Sequence, residues 1–228
     1  MAAGIVLITG ASRGIGRGLA AKFAAEGWQV LAAARRTSDV PRDPAIHAVP
    51  LDVLSDDSVR EAAETIAAGF PHIDVLVNNA AVFPGDGNER LEDTPLEWFE
   101  EAFAANVVGV ARVTRAFLPL LRKSASARII NISSGAGTIS EKTDADYYPY
   151  SVSKAALNML TRAMAAEYRG EKIPVYALSP GWVKTEMGGS NAPLSVEESA
   201  GSLFRTMTRL GLDKSGGFFG RDGEVYPW

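Results

Sequence analysis

The chain has 228 residues, 46% of them hydrophobic and 22% charged, with no cysteine and a formal net charge of −4. That length and composition suit one soluble α/β domain whose core needs no disulfide or metal staple. The lack of cysteine excludes disulfide, thiolate and Cys–zinc chemistry, and the acidic balance argues against a general nucleic-acid binder.

Residues 1–10 carry no basic run ahead of their apolar stretch, so they read as a strand and not as a signal peptide. No apolar run reaches the roughly 18 residues of a membrane span, and the expected setting is cytoplasmic. His47 and His72 stand alone in the sequence, a poor basis for a Ser-His-Asp triad or a histidine metal site.

Along the chain, apolar runs alternate with helix-length segments. The pattern predicts a strand over 4–9, then a helix over 14–27 with Ile15, Leu19, Ala20 and Phe23 on one face and Gly27 as its stop. Strands follow over 29–34 and 46–53, and Ser55 is placed to cap a helix that runs to 69. A fourth strand is expected over 74–80, one or two helices within 95–122 and a fifth strand over 128–133. A long helix over 150–169 and a sixth strand over 175–179 come next. Strict alternation of this kind predicts one Rossmann-type domain over 1–228, an α/β doubly wound parallel sheet with helices on both faces and right-handed crossovers. Residues 190–210 are expected to carry a lid, with Ser195 as its N-cap and Glu197-Glu198 in the first turn. Loops over 83–93, 135–146 and 187–193 follow strands, and in open α/β sheets ligands bind beyond the carboxyl ends of strands.

The first such junction reads Thr9-Gly10-Ala11-Ser12-Arg13-Gly14-Ile15-Gly16. Glycines there permit a tight turn and close approach of backbone to a ligand, and the helix that follows offers free amides and a positive dipole end to a pyrophosphate. The spacing is not G-x-G-x-x-G, since the third glycine of that pattern would fall on Leu19. T-G-x-x-x-G-I-G at the start of a chain resembles the short-chain dehydrogenase/reductase family, and the likeness extends over nearly all of the sequence.

The end of the second strand reads the cofactor ribose. An acid there would accept from the 2′-hydroxyl of NAD, whereas arginine accommodates a 2′-phosphate. This strand ends in Arg35-Arg36, with no acid before Asp39, and Arg13 in the glycine turn is placed to approach the same phosphate. The expected cofactor is NADP(H). The resemblance further implies that Asp52-Val53 contacts adenine and that Asn79-Ala80-Ala81 covers the adenosine side. Ala81 replaces the glycine of the family's N-N-A-G.

Tyr150 and Lys154 are four apart in the long predicted helix and share a face. A free tyrosine titrates near ~10, and a neighbouring ammonium is expected to pull that value down, making Tyr150 a general acid for reduction and a base for oxidation. Y-x-x-x-K is weak by itself. Tyr168 and Lys172 repeat it, although Gly170 between them and Pro174 beyond argue against a shared helical face. The fifth strand ends Asn131-Ile132-Ser133-Ser134-Gly135-Ala136-Gly137. A hydroxyl there could bond a carbonyl oxygen beside Tyr150. The family's spacing to the next glycine selects Ser134, while a loop to Tyr150 longer than the family's usual one leaves Ser133 open.

Asn106 matches the family's helix asparagine, which shapes a local backbone feature and holds a water linked to the lysine. Taken alone, Asn106 also fits an ordinary buried amide. Pro180-Gly181-Trp182-Val183-Lys184-Thr185 resembles the segment that packs on the nicotinamide, with Pro180, Gly181, Val183 and Thr185 against the cofactor. Phe83, Tyr147, Tyr148, Trp182 and Met187 fall on the expected crevice loops and suit an apolar or aromatic carbonyl compound. The stretch 216–228 and the segments around Trp182 and Pro193 resemble the Sniffer and C-factor-like carbonyl reductases within the family.

The resemblance thus implies NADPH-dependent reduction of a ketone, aldehyde or quinone, with hydride going to the carbonyl carbon and a proton coming from Tyr150. Alcohol oxidation by the same residues and a dinucleotide-dependent signalling role of C-factor type are the alternatives. A purely binding role has no use for a tuned phenol, and the chain lacks room for the added substrate domain of the extended epimerases. The expected partners are a small-molecule carbonyl substrate and further copies of the chain, as a dimer or tetramer through the long helices. No nucleic acid, membrane or metal is expected.

Overall fold

Burial on both faces explains why the central strands read as unbroken apolar runs. In the strand Ile5–Thr9 (β1), Ile5 and Leu7 point into one core while Val6 and Ile8 point into the other. The same division recurs in Gln29–Ala34 (β2), where Leu31 and Ala33 oppose Val30, Ala32 and Ala34. The computed structural model describes residues 3–228. Its remaining strands are Ile46–Pro50 (β3), Val75–Asn78 (β4), Arg128–Ile132 (β5), Val175–Ser179 (β6) and Phe218–Gly220 (β7). They form one sheet in the order β3-β2-β1-β4-β5-β6-β7, and every neighbouring pair is parallel.

Asp56–Gly69 (α2), Gly109–Leu121 (α4) and Tyr148–Glu167 (α5) cover one face through Val59, Ile66, Phe117 and Leu157. Gly14–Ala25 (α1) and Val196–Arg209 (α6) cover the other through Leu19, Phe23, Leu203 and Met207. Leu96–Phe103 (α3) runs into α4 through a π turn at Ala104–Val108. The sheet is therefore doubly wound, with its direction of winding reversed between β1 and β4.

Several expectations need correction. The third and fourth strands are shorter than 46–53 and 74–80, because Asp52 closes a turn by accepting from the Leu54 amide at 3.0 Å and Asn79 turns toward β1. Tyr148 opens α5 and is not a loop residue. The segment 190–210 is not a lid. Its helix buries Ser199, Ala200, Leu203 and Met207 and crosses α1 at Gly18, where a Cβ would come within 2.5 Å of Val196 Cγ1. The short β7, flanked by Gly216 and Gly217, was not foreseen. The 26 residues of Leu96–Leu121 include an apolar window of mean hydropathy 1.3, long and apolar enough by composition for a membrane span. Over half of that window is buried in the fold, where Val113, Phe117 and Leu121 join the core.

Both histidines serve the sheet. His47 bonds Gln29 at 2.7 Å, and His72 lies 3.3 Å from Asp74, whose carboxylate also accepts from the Ile5 amide at 2.8 Å.

Helix α6 begins with a reciprocal capping box, Ser195 Oγ accepting from the Glu198 amide at 3.1 Å and Glu198 accepting from the Ser195 amide at 2.7 Å. Ser195→Ala is expected to cost about 1 kcal/mol, read as a lower denaturation midpoint with an unchanged denaturant slope. An unchanged midpoint would mean that the cap contributes nothing to the fold.

Candidate active site

A wholly parallel sheet brings the carboxyl ends of its strands to one edge, and the predicted site residues gather there because each follows a strand. Gly10 leaves β1 with φ of 68° and Gly14 enters α1 with φ of 52°, both in the left-handed region that favours glycine. A Cβ on Gly16 would stand 2.4 Å from the Gly10 carbonyl oxygen and 2.5 Å from Asn79 Nδ2, so the turn closes only without one. Asn79 Nδ2 donates to the Thr9 and Gly10 carbonyls at 2.8 and 3.3 Å, while Thr9 Oγ1 accepts from the Asn79 and Ala80 amides at 3.0 and 3.1 Å. The ends of β1 and β4 are thus knotted together at the point where the winding reverses.

This edge fits a dinucleotide. Unlike α2 and α6, α1 has no side-chain cap and no acid in its first turn. Its leading amides, which no helical carbonyl can satisfy, remain available to a pyrophosphate. Ser12 and Ile15 are partly buried in the same turn. Thr185 stands across from it, its Cγ2 only 3.3 Å from where a Gly14 Cβ would be. Its hydroxyl accepts from the Gly188 amide at 2.9 Å. Pro180 and Val183 are buried, and Gly181 turns the chain with φ of 78°.

On the adenosine side Arg35 and Arg36 are exposed at the end of β2. Arg36 pairs with Asp39 at 3.0 Å, and among the described residues Arg35 has no acidic partner. A shallow cleft of about 710 Å³ opens beside them between Thr37-Ser38 and Ile46, away from Tyr150. Arg13 departs from expectation: its guanidinium pairs with Glu186 across the crevice mouth and does not reach toward Arg35. Val53 packs on Gly109, and its carbonyl accepts from Arg112 at 2.6 Å. Ala81 is partly buried beyond Ala80.

Ser134, Tyr150 and Lys154 come together. Ser134 lies near enough to the Tyr150 phenol to pull its pKa down, and Lys154 Nζ lies over the Tyr150 ring, 5.5 Å from its centroid. Ser133 is committed elsewhere, donating to Asn158 Oδ1 at 2.6 Å in a fully buried position. Lys154 is 2% exposed, and its one hydrogen-bond partner among the described residues is the Ile132 carbonyl at 2.9 Å. An ammonium has three donors, so the rest are free for a ligand. The second Y-x-x-x-K is no site: α5 ends at Glu167, and Lys172 lies beyond it with φ of 58°.

Electrostatics differ from the expectation of a phenol made more acidic by its lysine. Burial pushes the Tyr150 phenol up to about 12, against a smaller downward pull from Ser134. Burial also brings the Lys154 ammonium down to about 8. The amine has therefore lost its charge before the phenol titrates, and it cannot favour the phenolate at that point.

Asn106 sits in the π turn, fully buried. Its amide brackets Val82, accepting from the amide at 2.9 Å and donating to the carbonyl at 3.0 Å. It also donates to Ser153 Oγ at 3.0 Å, which in turn donates to the Tyr150 carbonyl at 2.7 Å. The link from Asn106 to the tyrosine's helix thus runs through Ser153, which the sequence reading did not single out. Phe83 lies 4.9 Å from Tyr150 and 5.5 Å from Tyr147, ring centre to ring centre. Tyr147, the residue before α5, takes up the left-handed region with φ of 54°. Trp182 and Met187 are exposed, and Trp182 makes no aromatic pair with this cluster among the described residues. Glu186 and Asn158 also went unforeseen. Only Asn158 left a signal, its spacing of four from Lys154.

The family model for short chain dehydrogenase matches residues 4–193. The chain belongs to the short-chain dehydrogenase family. Among its relatives, the C-signal protein of Myxococcus xanthus is 39% identical over 157 residues, covering 68% of this chain and 93% of the relative. Solved structures match over the whole of both chains. The NADPH-bound carbonyl reductase from chicken fatty liver superposes with a TM-score of 0.92 at 32% identity, and the carbonyl reductase Sniffer of D. melanogaster with 0.93 at 30%.

In this short-chain dehydrogenase the buried Lys154 has a signature in stability. Its folded value of about 8 lies below the ordinary ~10.4. Between those values the unfolded chain holds a proton that the folded chain has released, so stability rises with pH there. The Lys154→Met variant loses this gain. Its melting temperature relative to the unsubstituted protein is expected to fall steadily from pH 7 to pH 10, below the range where Tyr150 works in the opposite sense. A pH-independent difference would show that the amine does not titrate in that window.

Proposed function

We propose that the protein is an NADPH-dependent carbonyl reductase acting on a ketone, aldehyde or quinone. The observation that carries this reading is the meeting of Ser134, Tyr150 and Lys154 at the sheet edge, beside the uncapped start of α1. The cofactor is NADP(H), held by the amides of 12–16, by Arg35 at the 2′-phosphate and by Thr185 across the crevice. When bound, it supplies the hydride.

The chain's own residues supply orientation and the proton. With its phenol raised to about 12, Tyr150 is protonated throughout the neutral range and serves as the acid that reduction needs. Ser134 donates to the carbonyl oxygen and stabilises the charge that develops there. Lys154 holds the cofactor ribose with the donors that Ile132 leaves unspent, and a returning positive charge near the ring would lower the phenol. Phe83, Tyr147 and Tyr148 form the apolar wall on which a flat carbonyl compound packs, with Trp182 and Met187 on the opposite lip. The reading includes self-association through the long helices, since Val152 and Met159, seven apart on α5, are 44% and 70% exposed. The likeness to C-signal supports a dinucleotide-dependent signalling role as the second reading.

Tyr150→Phe separates the two. Carbonyl reduction is expected to fall by about 10²- to 10⁴-fold with NADPH affinity kept. Retained turnover would sink the assignment of Tyr150. In the same assay NADPH is expected to outperform NADH by about tenfold or more, since a hydrogen bond to a charged group contributes about 1.5 kcal/mol or more. Equal turnover with NADH would remove the role given to Arg35.

A further inference from the structure

Ser134 lies on a loop, yet the loop is tied to α5 on both sides of it, and both ties end on one residue. Asn158, one helical turn past Lys154 and 2% exposed, accepts from Ser133 Oγ at 2.6 Å and donates to the Gly137 carbonyl at 3.2 Å. Ser133 immediately precedes Ser134, and Gly137 follows it by three. A carbonyl can only accept, so Nδ2 must face Gly137 and Oδ1 must face the Ser133 hydroxyl. The loop then seats directly on the helix. A Cβ on Gly137 would stand 2.8 Å from the Lys154 carbonyl carbon and 2.9 Å from Lys154 Cβ. Ser134 Oγ also accepts from the Ala136 amide at 3.2 Å, which holds its side chain within the bracketed turn.

We propose that Asn158 is a positioning residue: by clamping Ser133 and Gly137 to the helix that carries Tyr150 and Lys154, it fixes the Ser134 hydroxyl against the Tyr150 phenol. Of the side-chain hydrogen bonds made by 133–137 among the described residues, the Ser134–Ala136 bond is local to the loop, and the two that cross to the helix both end on Asn158. The kinetic part of this inference rests on the carbonyl-reductase reading; the structural part does not.

The test compares the full-length Asn158→Leu, Ser133→Ala and Thr161→Val variants. Thr161 is the control, since on the same helix it accepts from Asn131 at 2.8 Å in a buried bond that does not touch the loop. Two readouts are taken. The first is NADPH-driven reduction of 4-nitrobenzaldehyde, with kcat and KM separated, the isotope effect with C4-deuterated NADPH, and NADPH affinity. The second is amide hydrogen exchange over 133–138.

For Asn158→Leu, kcat is expected to fall by about 100-fold, the scale of a misplaced reacting group, with a larger isotope effect and NADPH affinity kept. Exchange over 133–138 should rise. Thr161→Val should lose thermal stability with kcat and loop exchange unchanged. Equal kcat in Asn158→Leu and Thr161→Val, or unchanged loop exchange in Asn158→Leu, would overturn the proposal. Should Asn158→Leu fail to fold, Ser133→Ala decides: it removes one arm of the clamp and should show the same changes at smaller size, and their absence would overturn the proposal. If the unsubstituted protein reduces no carbonyl, the functional reading fails and the exchange measurement decides the clamp alone.

Discussion

Parallel pairing of β1 with both β2 and β4 is the constraint from which the site follows. Parallel strands cannot be joined by tight hairpins, so every crossover passes over a face and every strand ends at the same edge. Where the winding reverses, the chain leaves β1 and β4 for opposite faces of the sheet, and the backbone groups at their ends need partners. Thr9 and Asn79 provide them, and Gly10 and Gly16 leave the space for the chains to come that close. The cofactor crevice is what remains once those backbone groups are satisfied.

The reactive half obeys a different economy. Tyr150 and Lys154 share a helix face because of their spacing, but their protonation is set by the depth at which the helix lies. Desolvation works on the two in opposite senses, raising the neutral phenol and lowering the cationic amine. Both groups are thereby held closer to neutrality than in water. Tyr150 is kept protonated through the neutral range by its surroundings.

Much of this was legible in the sequence. The six longer strands announce themselves as apolar runs, the Gly10–Gly16 turn by its position between a strand and a helix, and Tyr150–Lys154 by helical spacing. What escaped depended on relations that no local pattern encodes. β7 is three residues long and gains its place only by pairing with β6. The helix at 196–209 has an amphipathic pattern that fits a lid as well as a core layer, and only the presence of α1 beneath it decides the matter. Arg13 looked available because Glu186, 173 positions away, is invisible from the glycine turn. The effect of Lys154 on Tyr150 was misjudged because spacing gives proximity but not solvent exposure. Ser133 and Ser134 are chemically alike in sequence, and the buried amide of Asn158 is what tells them apart.

The short β7 has a consequence for how copies of the chain can meet. Beyond it the chain reverses, so that Val225 bridges Phe219 antiparallel and the Tyr226 amide bonds the Phe218 carbonyl at 2.9 Å. Trp228 then stacks on Phe218, and its carbonyl accepts from the Ser140 amide at 3.0 Å. At the opposite margin β3 ends in Pro50, which has no amide to offer. Both rims of the sheet are therefore blunted against strand-by-strand growth, which disfavours fibre-like stacking of one copy's sheet edge on another's.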